Sequence, residues 1–89
     1  MGSLENIEIE VLKETVIYGY EKEFDIVLTQ SKQTDKGVTM YKIFSELKYD
    51  GKLYDILQTL VAFTREIADY YFSQLESKYL EEMKTRKIS

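Results

Sequence analysis

Cysteine, histidine, proline and tryptophan are all missing from this chain. Without cysteine there is no disulfide framework and no thiolate metal site. Without histidine or cysteine, a Ser-His-Asp triad, a Cys-His nucleophile pair and the usual zinc centres each lack a required group. Glycine is scarce. Gly2, Gly19, Gly37 and Gly51 stand singly, so there is no glycine-rich phosphate loop. No apolar run approaches the ~18 residues of a membrane span, and the N-terminus lacks a basic-then-apolar signal pattern. These absences point to a soluble, cytoplasmic protein that holds no cofactor and no metal.

What remains is enough for one domain. The chain has 89 residues, of which 44% are hydrophobic and 31% charged, so disorder is not expected. A domain this short leaves much of its surface exposed, and self-association would add useful burial. Residues 1–4 are expected to be disordered or an expression remnant, 5–49 to form a β-rich part, and 50–86 a helical part. The acids are concentrated early: residues 1–51 carry ten against six lysines, whereas 52–89 balance six of each sign. With a net charge of −4, the chain is a poor candidate for direct nucleic-acid binding, which depends on positive charge releasing counterions.

Apolar and polar residues alternate at Ile7, Ile9 and Val11 with Glu8 and Glu10 between, as in a half-buried strand. The alternation slips parity at Leu12, which predicts a bulge or reversal near Lys13-Glu14. A helix competes over 5–20, but the β-branched content favours strand. Phe24, Ile26 and Leu28 mark a second strand, and Val38 to Phe44 a third. The polar stretch Ser31–Gly37 reads as the loop of a hairpin between them.

From Lys52 to Ser89 there is neither glycine nor proline, and apolar residues recur every three or four positions. Leu53, Leu57, Leu60, Ile67, Tyr71 and Leu75 form a stripe, predicting one long helix over about 52–84 with Asp50 as its N-cap. A break near Ser73-Gln74 is the alternative to a straight helix. A second alternative makes Asp50-Gly51 a hairpin turn that joins 42–49 to 52–56.

The fold expected is therefore α+β, a three- or four-stranded antiparallel sheet with one long C-terminal helix across one face. The expected core is Ile7, Ile9, Val11, Phe24, Ile26, Leu28, Tyr41, Ile43, Leu53, Leu57, Leu60, Phe63, Ile67 and Tyr71. Such an arrangement leaves the other sheet face uncovered, because Val16, Val27, Met40 and Phe44 cannot be buried together with the opposite set.

Carboxylates are the chemistry left, but nothing singles out a pair of them for hydrolysis or cation binding. Eight tyrosines and no tryptophan suit an interface, because a tyrosine ring is apolar and its tip polar. The reading is a non-enzymatic protein-interaction or regulatory module. It is expected to be a homodimer through Tyr70, Phe72, Leu75, Tyr79, Leu80 and Met83 on the distal helix. The alternative is an acidic, phage-type inhibitor that sets Glu8, Glu10, Glu21, Glu23 and Asp25 into the basic groove of a nucleic-acid-binding protein.

Overall fold

Two-residue turns divide the first two-thirds of the chain into long strands. Lys36-Gly37 and Asp50-Gly51 each place both central residues at positive φ, the backbone that matches the twist of a tight hairpin. The computed structural model describes residues 7–88, with side chains from Glu8 to Thr85. The expectation for residues 1–4 lies outside that range. Strands β1 (Ile7–Glu21), β2 (Phe24–Asp35), β3 (Val38–Tyr49) and β4 (Lys52–Ala62) form one antiparallel sheet in that order, and helix α1 (Arg65–Ile88) comes after them. The α+β class is thus as expected, and the β-helix boundary is not.

Segment 52–62 is a strand rather than the first third of a helix. Its partner is β3, from Tyr49↔Lys52 to Tyr41↔Ala62, with two register shifts that leave Tyr54 and Leu57 without a cross-strand partner. Those bulges break the alternation, so Leu53, Leu57 and Leu60 fall at helical spacing while lying in a sheet. The helix cap moves accordingly. Thr64 accepts a hydrogen bond at its Oγ1 from the Ile67 N–H at 3.3 Å, and its carbonyl accepts the Ala68 N–H at 3.1 Å. Thr64 is therefore the N-cap in place of Asp50, with Glu66 in the first turn facing the positive end of the dipole. The helix is continuous past Ser73.

The expected loop at 31–37 is also mostly strand. Pairing between β2 and β3 is unbroken from Phe24↔Tyr49 to Asp35↔Val38, leaving only Lys36-Gly37 to turn. The parity slip in β1 is real: the register shifts between Val11 and Lys13, with a second irregularity between Ile17 and Glu21. Gly19, at φ 64°, lies in that second irregularity, and its N–H donates to Asp25 Oδ1 at 2.8 Å.

One face of the sheet meets the helix. Ile17, Ile26, Leu28 and Ile43 are buried there beneath Ala68, Phe72, Leu75 and Tyr79, with Leu47, Leu60, Tyr71 and Met83 packed around them. Burying each of the larger apolar side chains contributes on the order of 1.5–3 kcal/mol. Of the expected core, Ile26, Leu28 and Ile43 are buried, with Tyr41, Leu60 and Tyr71 beside them. Ile9, Val11, Leu53, Leu57, Phe63 and Ile67 are exposed instead. The β1 bulge turns Ile9 and Val11 to the far face, and the shifted helix start rotates the buried stripe onto Ala68, Phe72, Leu75 and Tyr79.

Polar contacts close the C-terminal end of the helix seat. Tyr79 stands edge-on to Tyr20 at 5.9 Å, and its hydroxyl shares a buried hydrogen bond with Ser45 Oγ at 2.9 Å. Tyr20 in turn donates to Glu82 Oε1. Tyr79→Phe strands the Ser45 hydroxyl in the core and is expected to cost about 1–3 kcal/mol. Adding Ser45→Ala should restore most of it, because both partners are then apolar. Urea melts of the single and double variants give the coupling; strict additivity would mean the bond contributes nothing.

Candidate interaction surface

The six helix residues expected at a partner interface do not share a face. Phe72, Leu75 and Tyr79 are buried against the sheet and Met83 is half-buried beside them, leaving only Tyr70 and Leu80 turned outward. The helix thus commits its main stripe to its own sheet. The five acids are likewise divided. Glu8 and Glu10 lie opposite Thr34 and Lys32 at one end of the sheet, while Glu21, Glu23 and Asp25 gather at the β1–β2 turn. Glu8 and Glu21 are separated along one strand by roughly 40 Å at about 3.3 Å per residue.

Besides the Ser45–Tyr79 and Tyr20–Glu82 bonds, the helix side carries a small ion-paired cluster. Lys13 Nζ sits 3.0 Å from Asp69 Oδ1, and Arg65 Nε sits 3.3 Å from the same oxygen. The hydrogen bond from Lys13 holds the Asp69 carboxyl below the usual carboxylate range, with Gln30 and Arg65 adding to it. A depressed carboxylate stabilises the fold above its ordinary titration range, and that contribution fades as pH falls through the lowered value. These are exposed ion pairs, whose net contribution is small. Gln30 beneath them is fully buried, yet neither its amide nitrogen nor its oxygen reaches hydrogen-bond geometry with a protein group.

Two concavities are shallow and polar. One, of about 510 Å³, is lined by Glu23, Asp25, Tyr49, Asp50 and Gly51 at the hairpin end of the sheet. The other, of about 100 Å³, lies among Glu8, Ile9, Glu10, Lys32 and Thr34. Among the described residues no group of three acids is placed to hold a metal ion.

The larger feature is the sheet face turned away from the helix. Cross-strand register arranges it in rows that run from β1 to β4. Val11, Ser31, Lys42 and Val61 form one row. The next is Glu14, Thr29, Phe44 and Thr59, and the third is Val16, Val27, Glu46 and Ile56. Ile9 and Met40 extend this surface past one end, and Leu53 past the other. Among the described residues no second layer covers it, and Val11 and Ile56 are 60% and 55% exposed. Thr29 and Ser31 are nonetheless only 6% and 5% exposed, because larger neighbours on β1 and β3 stand above these short side chains. Tall side chains, Phe44 on β3 among them, thus stand beside short ones on β2.

No known family, curated protein or solved structure matches this chain. The functional reading accordingly rests on geometry and chemistry alone. No described helix is long and apolar enough to cross a membrane.

Sequence reasoning put the contact on the helix, and the structure puts the uncovered apolar area on the sheet. The signal for the second was present in Val16, Val27, Met40 and Phe44, whose parity opposes that of Ile26, Leu28 and Ile43.

Proposed function

We propose that the protein is a small, non-enzymatic interaction module whose working surface is the outer face of the sheet. The observation that carries this reading is a two-layer fold with one sheet face left open and apolar side chains in every row across it. Two-layer domains bury one face of a sheet and ordinarily present polar residues on the other. Here each strand of the second face carries at least one valine, isoleucine, methionine or phenylalanine, set among Glu14, Lys42, Glu46 and short hydroxyl side chains. Contiguous patches of this kind mark protein contacts.

The edges of the sheet are less suited to the task. Register shifts interrupt β1 and the β3–β4 pairing, and Glu8, Glu10, Lys13 and Glu14 line β1. Bulges and charges are the devices that keep edge strands from pairing with other chains. The face carries Glu14, Lys42 and Glu46 as well, but no register shift interrupts its central β2–β3 pairing.

A photo-reactive phenylalanine analogue at Ile56, on the open face, should give a covalent protein adduct when the chain is irradiated in cell extract. The same analogue at Tyr70, 60% exposed on the outward side of the helix, should give none. Adducts at Tyr70 with none at Ile56 would place the contact on the helix and overturn the reading.

A further inference from the structure

We infer that the occupant of the open face is a second copy of this chain, packed sheet to sheet into a four-layer α/β/β/α dimer. This rests on the reading that the outer face is a contact surface, and it names the partner.

Area is the first argument. Strands of about 12 residues at ~3.4 Å each, four abreast at ~4.8 Å, give a face of roughly 40 by 19 Å, or about 750 Å². Stable protein interfaces bury about 800 Å² per partner, so one face supplies what one half of a dimer requires. Sheets packed this way lie ~10 Å apart with their strands roughly aligned.

Shape and charge are the second. Consider a two-fold axis in the plane between the sheets, parallel to the strands and midway between β2 and β3. It lays β1 over β4 of the second copy, and β2 over its β3. Every row then meets its own reverse. Phe44, the tall side chain of its row, comes over Thr29, a short one, of the second copy. Val61 comes over Val11, and Ile56 over Val16, so the exposed Val11, Ile56 and Val61 at the two edges are covered. Asp25 comes over Lys48 of the second copy and so meets its opposite. Lys42 faces Ser31, Glu46 faces Val27 and Glu14 faces Thr59, without a like charge across the contact but at a cost in desolvation. A surface that mixes short and tall side chains on adjacent strands is self-complementary under this operation, as an isologous interface must be.

The two-fold also explains why helix α1 lacks a second apolar stripe of comparable size. In the four-layer assembly the helices are the outer layers, and their outward sides remain in water.

The test is solution mass by light scattering, from about 100 µM down to about 1 µM. The wild-type chain is expected at twice its 10.5 kDa. Phe44→Lys and Val61→Lys should each raise the dissociation midpoint at least tenfold while leaving the circular dichroism of the fold unchanged. Tyr70→Lys should leave the dimer intact. If Phe44→Lys does not fold, Val61→Lys decides alone, since Val61 is 44% exposed in the single chain. Placement is read by mixing Val11→Cys with Val61→Cys chains, which carry no other thiol, and adding a bismaleimide of ~10 Å span. Linked heterodimer is expected, and its absence would overturn the two-fold.

A monomeric wild type, or a dimer indifferent to Phe44→Lys and Val61→Lys, would overturn self-pairing. A monomer that still gives Ile56 adducts to a different protein would keep the interaction surface and change its occupant. A monomer without Ile56 adducts would end both readings.

Discussion

Leu75→Glu is expected to abolish folding rather than to yield a folded monomer. Leu75 is 4% exposed and lies in the buried cluster with Ile26, Leu28 and Ile43 of the sheet. Removing a buried leucine side chain costs about 2–5 kcal/mol before any charge is considered. A carboxylate in the same place adds desolvation, or else is protonated at a further cost. At roughly 0.05–0.15 kcal/mol per residue, a domain of this size has about 4–13 kcal/mol to lose. The substitution therefore removes most or all of its stability. Phe72→Glu should do the same, because Phe72 is also buried and carries the Lys13 ammonium 5.4 Å from its ring centre. Tyr70→Glu, two positions away on the outward side, should shift the melting temperature little. Far-UV circular dichroism with urea titration separates the outcomes. A Leu75→Glu chain with native helix content and an undiminished urea midpoint would mean the helix does not seat on the sheet.

The same substitution shows how far the sequence could be read. Taken as an interface residue, Leu75 is a switch between dimer and monomer; placed in the core, it holds the helix to the sheet. The α+β class, β1 to β3 and the bulge near Lys13 are legible from alternation and from β-branched residues, because those signals are local. The length of the helix is not. Leu53, Leu57 and Leu60 recur at intervals of four and three, which a helix and a twice-bulged strand satisfy equally well. Two local signals argued for the strand: Asp50-Gly51, a strong hairpin turn, and Thr64, a good N-cap standing just before an acidic first turn. Neither is a periodicity; helical spacing ranks above the Asp50-Gly51 turn in the sequence reading, where the Thr64 cap goes unread. Once the helix start moved to Arg65, its buried stripe turned with it. Phe72, Leu75 and Tyr79 then passed from the surface to the core.

The open face was legible for the opposite reason. Parity is set within a strand and does not depend on the elements around it. Val27 must point away from Ile26 and Leu28 whatever the helix does, and Phe44 away from Ile43. What sequence alone does not carry is the row-by-row register. That depends on the lengths of the Lys36-Gly37 and Asp50-Gly51 turns and on where the bulges fall. Register is what brings Thr29 beside Phe44, a short side chain next to a tall one.

Gln30→Met is expected to stabilise the protein, which is unusual for a substitution in a core. Gln30 is fully buried on β2, on the helix side of the sheet, with Ile43 as its cross-strand neighbour on β3. Its amide reaches no protein group in full hydrogen-bond geometry and offers the Asp69 carboxylate only a weak one. A buried polar group left in that state costs about 1–3 kcal/mol. Methionine has nearly the same length and volume, and a flexible side chain that fits an irregular gap. It removes the unpaired amide without opening a cavity. One contribution is lost, because Gln30 helps to lower the Asp69 carboxyl pKa, but Lys13 is the larger cause and remains. That carboxylate is also solvent-exposed, so the loss is small beside the gain. The expected net gain of about 1–2 kcal/mol corresponds to roughly 4–16 °C in melting temperature for a domain of this length. Calorimetry on Gln30→Met and on Gln30→Ala gives the decisive contrast. If the unpaired amide is the liability, methionine raises the melting temperature and alanine, which leaves a cavity, lowers it or leaves it level. A fall with methionine as large as the fall with alanine would mean the amide is bonded in solution and holds the helix in register over the sheet.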